Sequence, residues 1–142
     1  MNKLLTKAVL TKLTKLHNSS SGNAKKKGIN FAISKAYLET LYIGCQGICP
    51  MTGIALETIS GTIARRNPRG ISIDRIDNSL GYEEGNVRLV STWFNNAKGA
   101  ESDEFFFAMT KIIQQRQNAL NLVKIEVPDL EQCSIEQENE NV

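Results

Sequence analysis

Asp74 and Asn95 are the two residues whose types and spacing best suit metal chemistry. Ile71-Ser72-Ile73-Asp74 reads as a short strand with both isoleucines on one face, which aims Asp74 away from the core. Asn86-Val87-Arg88-Leu89-Val90 reads as a second strand, and Ser91 or Thr92 can cap a turn or helix carrying Trp93, Phe94, Asn95 and Lys98. Such a strand-loop-strand-helix order can bring the Asp74 carboxylate near the Asn95 amide. Both are hard oxygen ligands suited to Mg²⁺ or Mn²⁺, ions that keep several waters and grip a phosphate oxygen directly. Asp74, Asp77, Asn78 and Asn86 also read as turn formers and strand-end hydrogen bonders, as such residues usually are.

Other chemistry is sparse. His17 is the one histidine, so any mechanism needing an imidazole has a single candidate. Cys45 and Cys49 lie four apart, but Cys133 is the only other cysteine, so there is no second pair for a structural Zn²⁺ and none is expected. The odd cysteine count points to reduced thiols packed as small hydrophobes. The N-terminus interrupts its apolar residues with lysine every few positions, unlike an export signal, and no apolar run reaches membrane-spanning length. A cytoplasmic protein without a membrane partner is expected, in the host cytoplasm if the chain is phage-encoded.

The net charge of +2 conceals a strong gradient. Residues 1–35 carry +8 with no acid, residues 36–98 balance to 0, and residues 99–142 carry −6. A local cationic cluster governs attraction to phosphates more than the sum does. Lys25, Lys26 and Lys27 form one such cluster and Arg65, Arg66 and Arg69, beside Pro68 and Gly70, another.

With 142 residues and 41% hydrophobic content the chain can bury one core without a staple. Leu5, Val9, Leu13 and Leu16 predict an amphipathic helix over 3–16, after which Asn18 to Gly28 reads as an exposed, lysine-bearing connector, making 1–29 a basic helical arm. A helix over 30–44 with Asn30 as its cap follows, and Ile54 to Ile63 allows a strand or an irregular crossing. A long helix over 102–122, rich in phenylalanine and isoleucine, is expected to supply much of the core. Residues 1–128 thus read as one domain and the acidic 129–142 as a mobile tail.

The string from Ser72 to Gly99, SIDRIDNSLGYEEGNVRLVSTWFNNAKG, resembles the HNH, or ββα-metal, nuclease superfamily, especially phage-type members with an SxDRIDN…GY…GNV…N-x-x-K pattern. The likeness covers about residues 45–99, with Cys49-Pro50-Met51-Thr52-Gly53 similar to the family's upstream turn. It implies an α+β fold, a small ββα-metal module (45–99) embedded among flanking α-helices. It also implies that Asp74 and Asn95 hold one Mg²⁺ or Mn²⁺ and that Asn86 braces the loop. Arg75 stands where the family's general-base histidine follows the metal-binding aspartate. An arginine stays protonated at neutral pH, so it can clamp a phosphate but cannot deprotonate water. In a related arrangement the base lies at the position of Asp77, whose carboxylate could orient a metal-bound water; its plainer role is an Asx turn. Trp93 and Phe94 replace a cysteine pair of zinc-stapled relatives and are expected to pack against flanking helices.

The resemblance therefore implies a metal-dependent endonuclease acting on DNA, with RNA left open. Asp74, Arg75, Asp77, Asn86 and Asn95 would form its catalytic group, and Arg88 and Lys98 would contact the backbone. Cutting two strands from one small site would favour a homodimer. The missing histidine and the N-terminal lysines support a second reading, a non-catalytic nucleic-acid-binding module. The acidic C-terminal segment supports a third, a protein-binding adaptor or inhibitor.

Overall fold

A computed structural model describes residues 2–61 and 66–120, and six elements run along them: α1 (Lys7–Lys26), α2 (Lys35–Gly44), β1 (Ile71–Arg75), β2 (Val87–Ser91), α3 (Thr92–Lys98) and α4 (Asp103–Ala119). The chain divides into two units, residues 1–106 and residues 107–142. The expected tail, Cys133, the possible strand at Val123 to Val127 and the guanidinium of Arg65 lie outside the described residues.

In the first unit Thr6 opens α1 by accepting from the Val9 amide, and Val9 and Leu13 carry its stripe into the core. The helix does not stop at Leu16. It continues through the polar run that reads as a connector, and so α1 is no loose arm. Each Asn, Ser or Gly in a helix costs about 0.5–1 kcal/mol relative to alanine, and docking of the last turns offsets that cost. Ala24 is buried, His17 Nε2 lies 3.0 Å from the Ile33 carbonyl oxygen, and the ring of His17 meets Phe31 edge-on. The helix closes in a left-handed turn at Gly28 (φ 66°), where the Ile29 amide donates to Ala24 O and the Gly28 amide to Lys25 O.

The next helix starts at Ser34, four residues later than the Asn30 cap read from the sequence. Residues 30–32 are extended instead because they pair with Tyr82: its amide donates to Asn30 O (2.9 Å), and the Ala32 amide donates to Tyr82 O (2.7 Å). That pairing demands glycine at 81, where a Cβ would sit 2.5 Å from the Asn30 carbonyl oxygen.

Cys49 to Gly53 is the expected turn, with the Gly53 amide donating to Cys49 O (2.8 Å). Beyond it, up to Gly61, the chain makes isolated bridges and no full strand. Cys45 and Cys49 are free thiols, and Cys49 packs in the core. β1 and β2 form a two-stranded antiparallel sheet in which Asp74 faces Arg88 and Ser72 faces Val90. Ile71, Ile73, Val87 and Leu89 join Leu13, Leu38, Tyr42 and Phe94 in one cluster, so helices from both ends of the unit cover the sheet. This is an α+β arrangement around a small ββα module.

One expectation about the core fails. No described side chain of α4 is buried, and Phe106, in the first unit, packs partly against the core, edge-on to Phe94. The remaining described part of the second unit continues α4 with Phe107, Met109, Ile112 and Ile113 exposed. Core duty belongs to α1 instead: Leu13→Ala should lower the unfolding free energy by about 2–5 kcal/mol in urea denaturation, whereas a loose arm would leave it unchanged.

Candidate functional site

Alternation does turn Asp74 away from Ile71 and Ile73, yet the face it points to is covered, and only 2% of the residue is exposed. Four charged side chains from three elements and the start of a fourth meet there. Asp74 Oδ2 accepts from Arg88 Nε (2.8 Å) and faces Arg88 Nη2 at 2.7 Å, while Asp74 Oδ1 accepts from Lys98 Nζ at 3.1 Å. Arg88 grips Asp103 with two parallel bonds of 2.8 and 2.6 Å, and Lys98 Nζ also donates to the Arg75 carbonyl oxygen at 2.9 Å.

Each partner follows from local structure. The antiparallel register sets Arg88 opposite Asp74, and Ser91 caps α3 by accepting from the Phe94 amide, which phases the short helix so that Lys98 reaches β1. Asp103 stands in the first turn of α4, after the cap residue Ser102. Hydrogen bonds from Arg88 hold the Asp103 carboxyl below the usual carboxylate range against a smaller effect of burial. Burial works against the Arg88 guanidinium, but its bonds to Asp103 and Asp74 outweigh that and keep it above its ordinary value. Two cations and two carboxylates balance, with the Arg88 guanidinium also lying 5.5 Å over the Phe94 ring.

Of the other expected catalytic residues, Arg75, Asp77 and Asn86 are engaged with the loop between the strands and Asn95 with β1. Arg75 Nη1 donates to the carbonyl oxygens of Asn78 (3.3 Å) and Leu80 (2.9 Å), and its guanidinium lies 5.3 Å from the centre of the Tyr82 ring. Asp77 Oδ1 accepts from both the amide and the hydroxyl of Ser79, an Asx turn whose bonds hold the carboxyl below its ordinary value. Asn86 Oδ1 accepts from the Asp77 amide, and Nδ2 donates to Asp77 O and Gly81 O, so the amide braces the whole loop. Asn95 Nδ2 donates to Ser72 Oγ (2.6 Å) and Ile73 O (3.2 Å). His17, bound to Ile33, serves the packing of α1.

These residues, as arranged, do not fit a hard divalent ion. Both oxygens of Asp74 face the chain's own cations and Asp103 is bound to Arg88, while Asn95, whose amide nitrogen is spent on Ser72 and Ile73, offers a single neutral oxygen. Among the described residues no group of three or more His, Cys, Asp or Glu side chains could hold a metal. The open hollow beside Asp103 is lined also by Asp77 and Glu104, carboxylates that repel a phosphate.

The expected phosphate contacts divide. Lys25, Lys26, Lys27 and Arg66 are exposed. Arg88 and Lys98 are not: the Lys98 side chain has no exposed surface, and both are bound inside the ion network. Arg69 pairs with Glu57 at 3.3 Å, which removes it from the exposed group. Phe94 packs as expected, whereas Trp93 is 52% exposed. The partner that sequence reading missed is Asp103, visible there only as a helix-start residue; the cross-strand placement of Arg88 opposite Asp74 was a signal for that pair alone.

Asp74→Ala would strand Arg88 and Lys98 without their central counter-charge, and should cost about 3–5 kcal/mol of stability in thermal or urea unfolding. The depressed carboxyl of Asp103 also sets the acid limb. Above the ordinary carboxylate pKa its ionised form contributes fully, and stability is lost as pH falls below about 4, through the folded value. Asp103→Asn should lower stability at neutral pH and flatten that acid loss, read from urea midpoints between pH 7 and pH 2.

No protein-family model and no curated protein matches the chain. Among solved structures it is similar to one described as the rare-cutting HNH restriction endonuclease PacI, in a report on DNA perturbation by that enzyme. The two are 21% identical, with a TM-score of 0.55, over 77% of this chain and 81% of that one. At that identity the likeness is one of fold, and in this chain the strand pair, its loop and the helix that follows form a ββα arrangement.

Proposed function

We propose that the chain is a nucleic-acid-binding module on an HNH-like scaffold, with DNA as its partner and without metal-dependent cleavage. The observation that carries this reading is the state of Asp74, whose two oxygens are held by Arg88 and Lys98 inside a balanced, buried network. A divalent ion on Asp74 would stand beside two cations already bound there, and driving either of them off would leave a buried charge without its partner at a cost of about 3–5 kcal/mol. Arg75 supplies no base in place of histidine, because a guanidinium does not release its proton at neutral pH. Removed from chemistry, the scaffold keeps a cationic exterior: Lys25, Lys26 and Lys27 at the end of α1 and Arg66 before β1. Cations of this kind bind the phosphate backbone without reading sequence. A homodimer, useful for cutting two strands, is not required by this reading.

The fold likeness to a nuclease supports a second reading, a metal-dependent endonuclease. Fluorescence anisotropy with labelled DNA and a plasmid-nicking assay separate the two. A binding module should bind in EDTA as well as in Mg²⁺. Its affinity should fall about 50- to 150-fold between 50 and 200 mM salt if some four phosphates are engaged. Plasmid nicking that requires Mg²⁺ or Mn²⁺, and is lost in a folded Asp74→Asn variant, would replace this reading with the nuclease one.

A further inference from the structure

Three open hollows run in succession across the first unit. The first, about 530 Å³, is lined by Lys7, Lys12 and Lys15 of α1 with Ser60 across from them. The second, about 270 Å³, shares Lys12 and Ser60 with the first and adds Arg66 and Thr92. The third, about 400 Å³, shares Arg66 and Thr92 with the second and ends against Trp93. Shared walls make these one groove. Four cations line it, and among the described residues no carboxylate does.

One of its cations is held in place, and Lys7, Lys15 and Arg66 are exposed. Lys12 Nζ donates to Ser60 Oγ at 2.8 Å, which ties α1 to the opposite wall. Burial, and next the charge of Lys15, keep the Lys12 ammonium below its ordinary pKa, so the groove holds positive charge that an anion would relieve. At the other end Trp93 leaves half of its surface open on a helix whose neighbouring side chain, Phe94, is fully packed. Its backbone is fixed, since the Trp93 amide donates to Pro68 O and the Thr92 amide to Gly70 O. A large, rigidly mounted aromatic face thus borders the same hollow as Arg66.

We infer that this groove is a binding site for single-stranded DNA, with successive phosphates on Lys15, Lys12 and Arg66 and a base stacked on the indole of Trp93. The inference rests on the nucleic-acid-binding reading above and adds the strandedness and the path. Phosphate attraction alone would accept a duplex equally well. In a duplex, however, each base face is covered by its neighbours, so an exposed indole beside a line of cations gains contact only from unstacked bases.

Trp93 is the only tryptophan in the chain, so its emission reports the contact directly. The full-length protein would be titrated with a ten-nucleotide oligo(dT), with the same backbone lacking bases, with a ten-base-pair duplex and with oligo(U). Oligo(dT) should bind tightest and quench the emission; the abasic strand and the duplex should bind more weakly and leave it nearly unchanged. Trp93→Ala should weaken oligo(dT) binding about five- to hundredfold, and Trp93→Phe should restore most of the loss. Lys15→Ala should make the logarithmic salt dependence shallower by about 0.7. Unchanged oligo(dT) affinity in Trp93→Ala, equal quenching by the duplex, or tighter binding of oligo(U) overturns the inference. Salt-dependent binding that ignores Trp93 would do so while sparing the nucleic-acid-binding reading. Absence of binding to every strand would overturn both.

Discussion

A carboxylate cannot stay charged in a protein interior unless something positive stands beside it, and the organisation around β1 follows from how that requirement is met for Asp74. In a metal-dependent nuclease module a bound cation can provide the compensating charge. Here Lys98 and Arg88 provide it, and Asp103 in turn balances Arg88. The arrangement ties the second strand, α3 and the start of α4 to one residue of the first strand. It leaves each oxygen of that residue facing a cation of the chain itself, and the chemical possibilities of the site narrow accordingly.

The charges kept on the surface obey a different logic. An exposed ammonium needs no partner in the protein, because water solvates it, so lysines can gather at the cost of mutual repulsion alone. On α1 that repulsion is concentrated where a helix faces the wall at Ser60. The buried charges of the module therefore balance while one side of its exterior stays cationic, which draws anions toward that side.

Much of this was legible from residue order and part of it was not, for reasons that differ by element. The strand pair and α3 were readable because β-branched alternation, a turn-rich loop and a capping serine all agree on the same local structure. The extent of α1 was hidden, since Asn18 to Asn23 lack helical propensity and continue the helix only through tertiary contacts at His17 and Ala24. Asn30 looked like a cap because its pairing with Tyr82, 52 positions away, leaves no local trace. The phenylalanines of α4 look like core by type, and type does not say which neighbours a helix will find. For the site, the alternation that turns Asp74 away from the apolar face was sound, but it carried no information on what covers the other face. Knowing that Lys98 is buried requires the phase of α3, and knowing that Asp103 reaches Arg88 requires the turn at Gly99.

The loop between the strands bears on how short nuclease-like patterns should be read. Its arginine closes on two carbonyl oxygens, its second aspartate caps a serine, and its glycine-flanked asparagine binds the loop's backbone at both ends. The aspartates, the arginine and the asparagine of GNV thus each have a stereochemical task within the chain. The pattern therefore specifies a stably bent hairpin in its own right, and a short polar string of this kind identifies a way of bending the chain before it identifies a reaction.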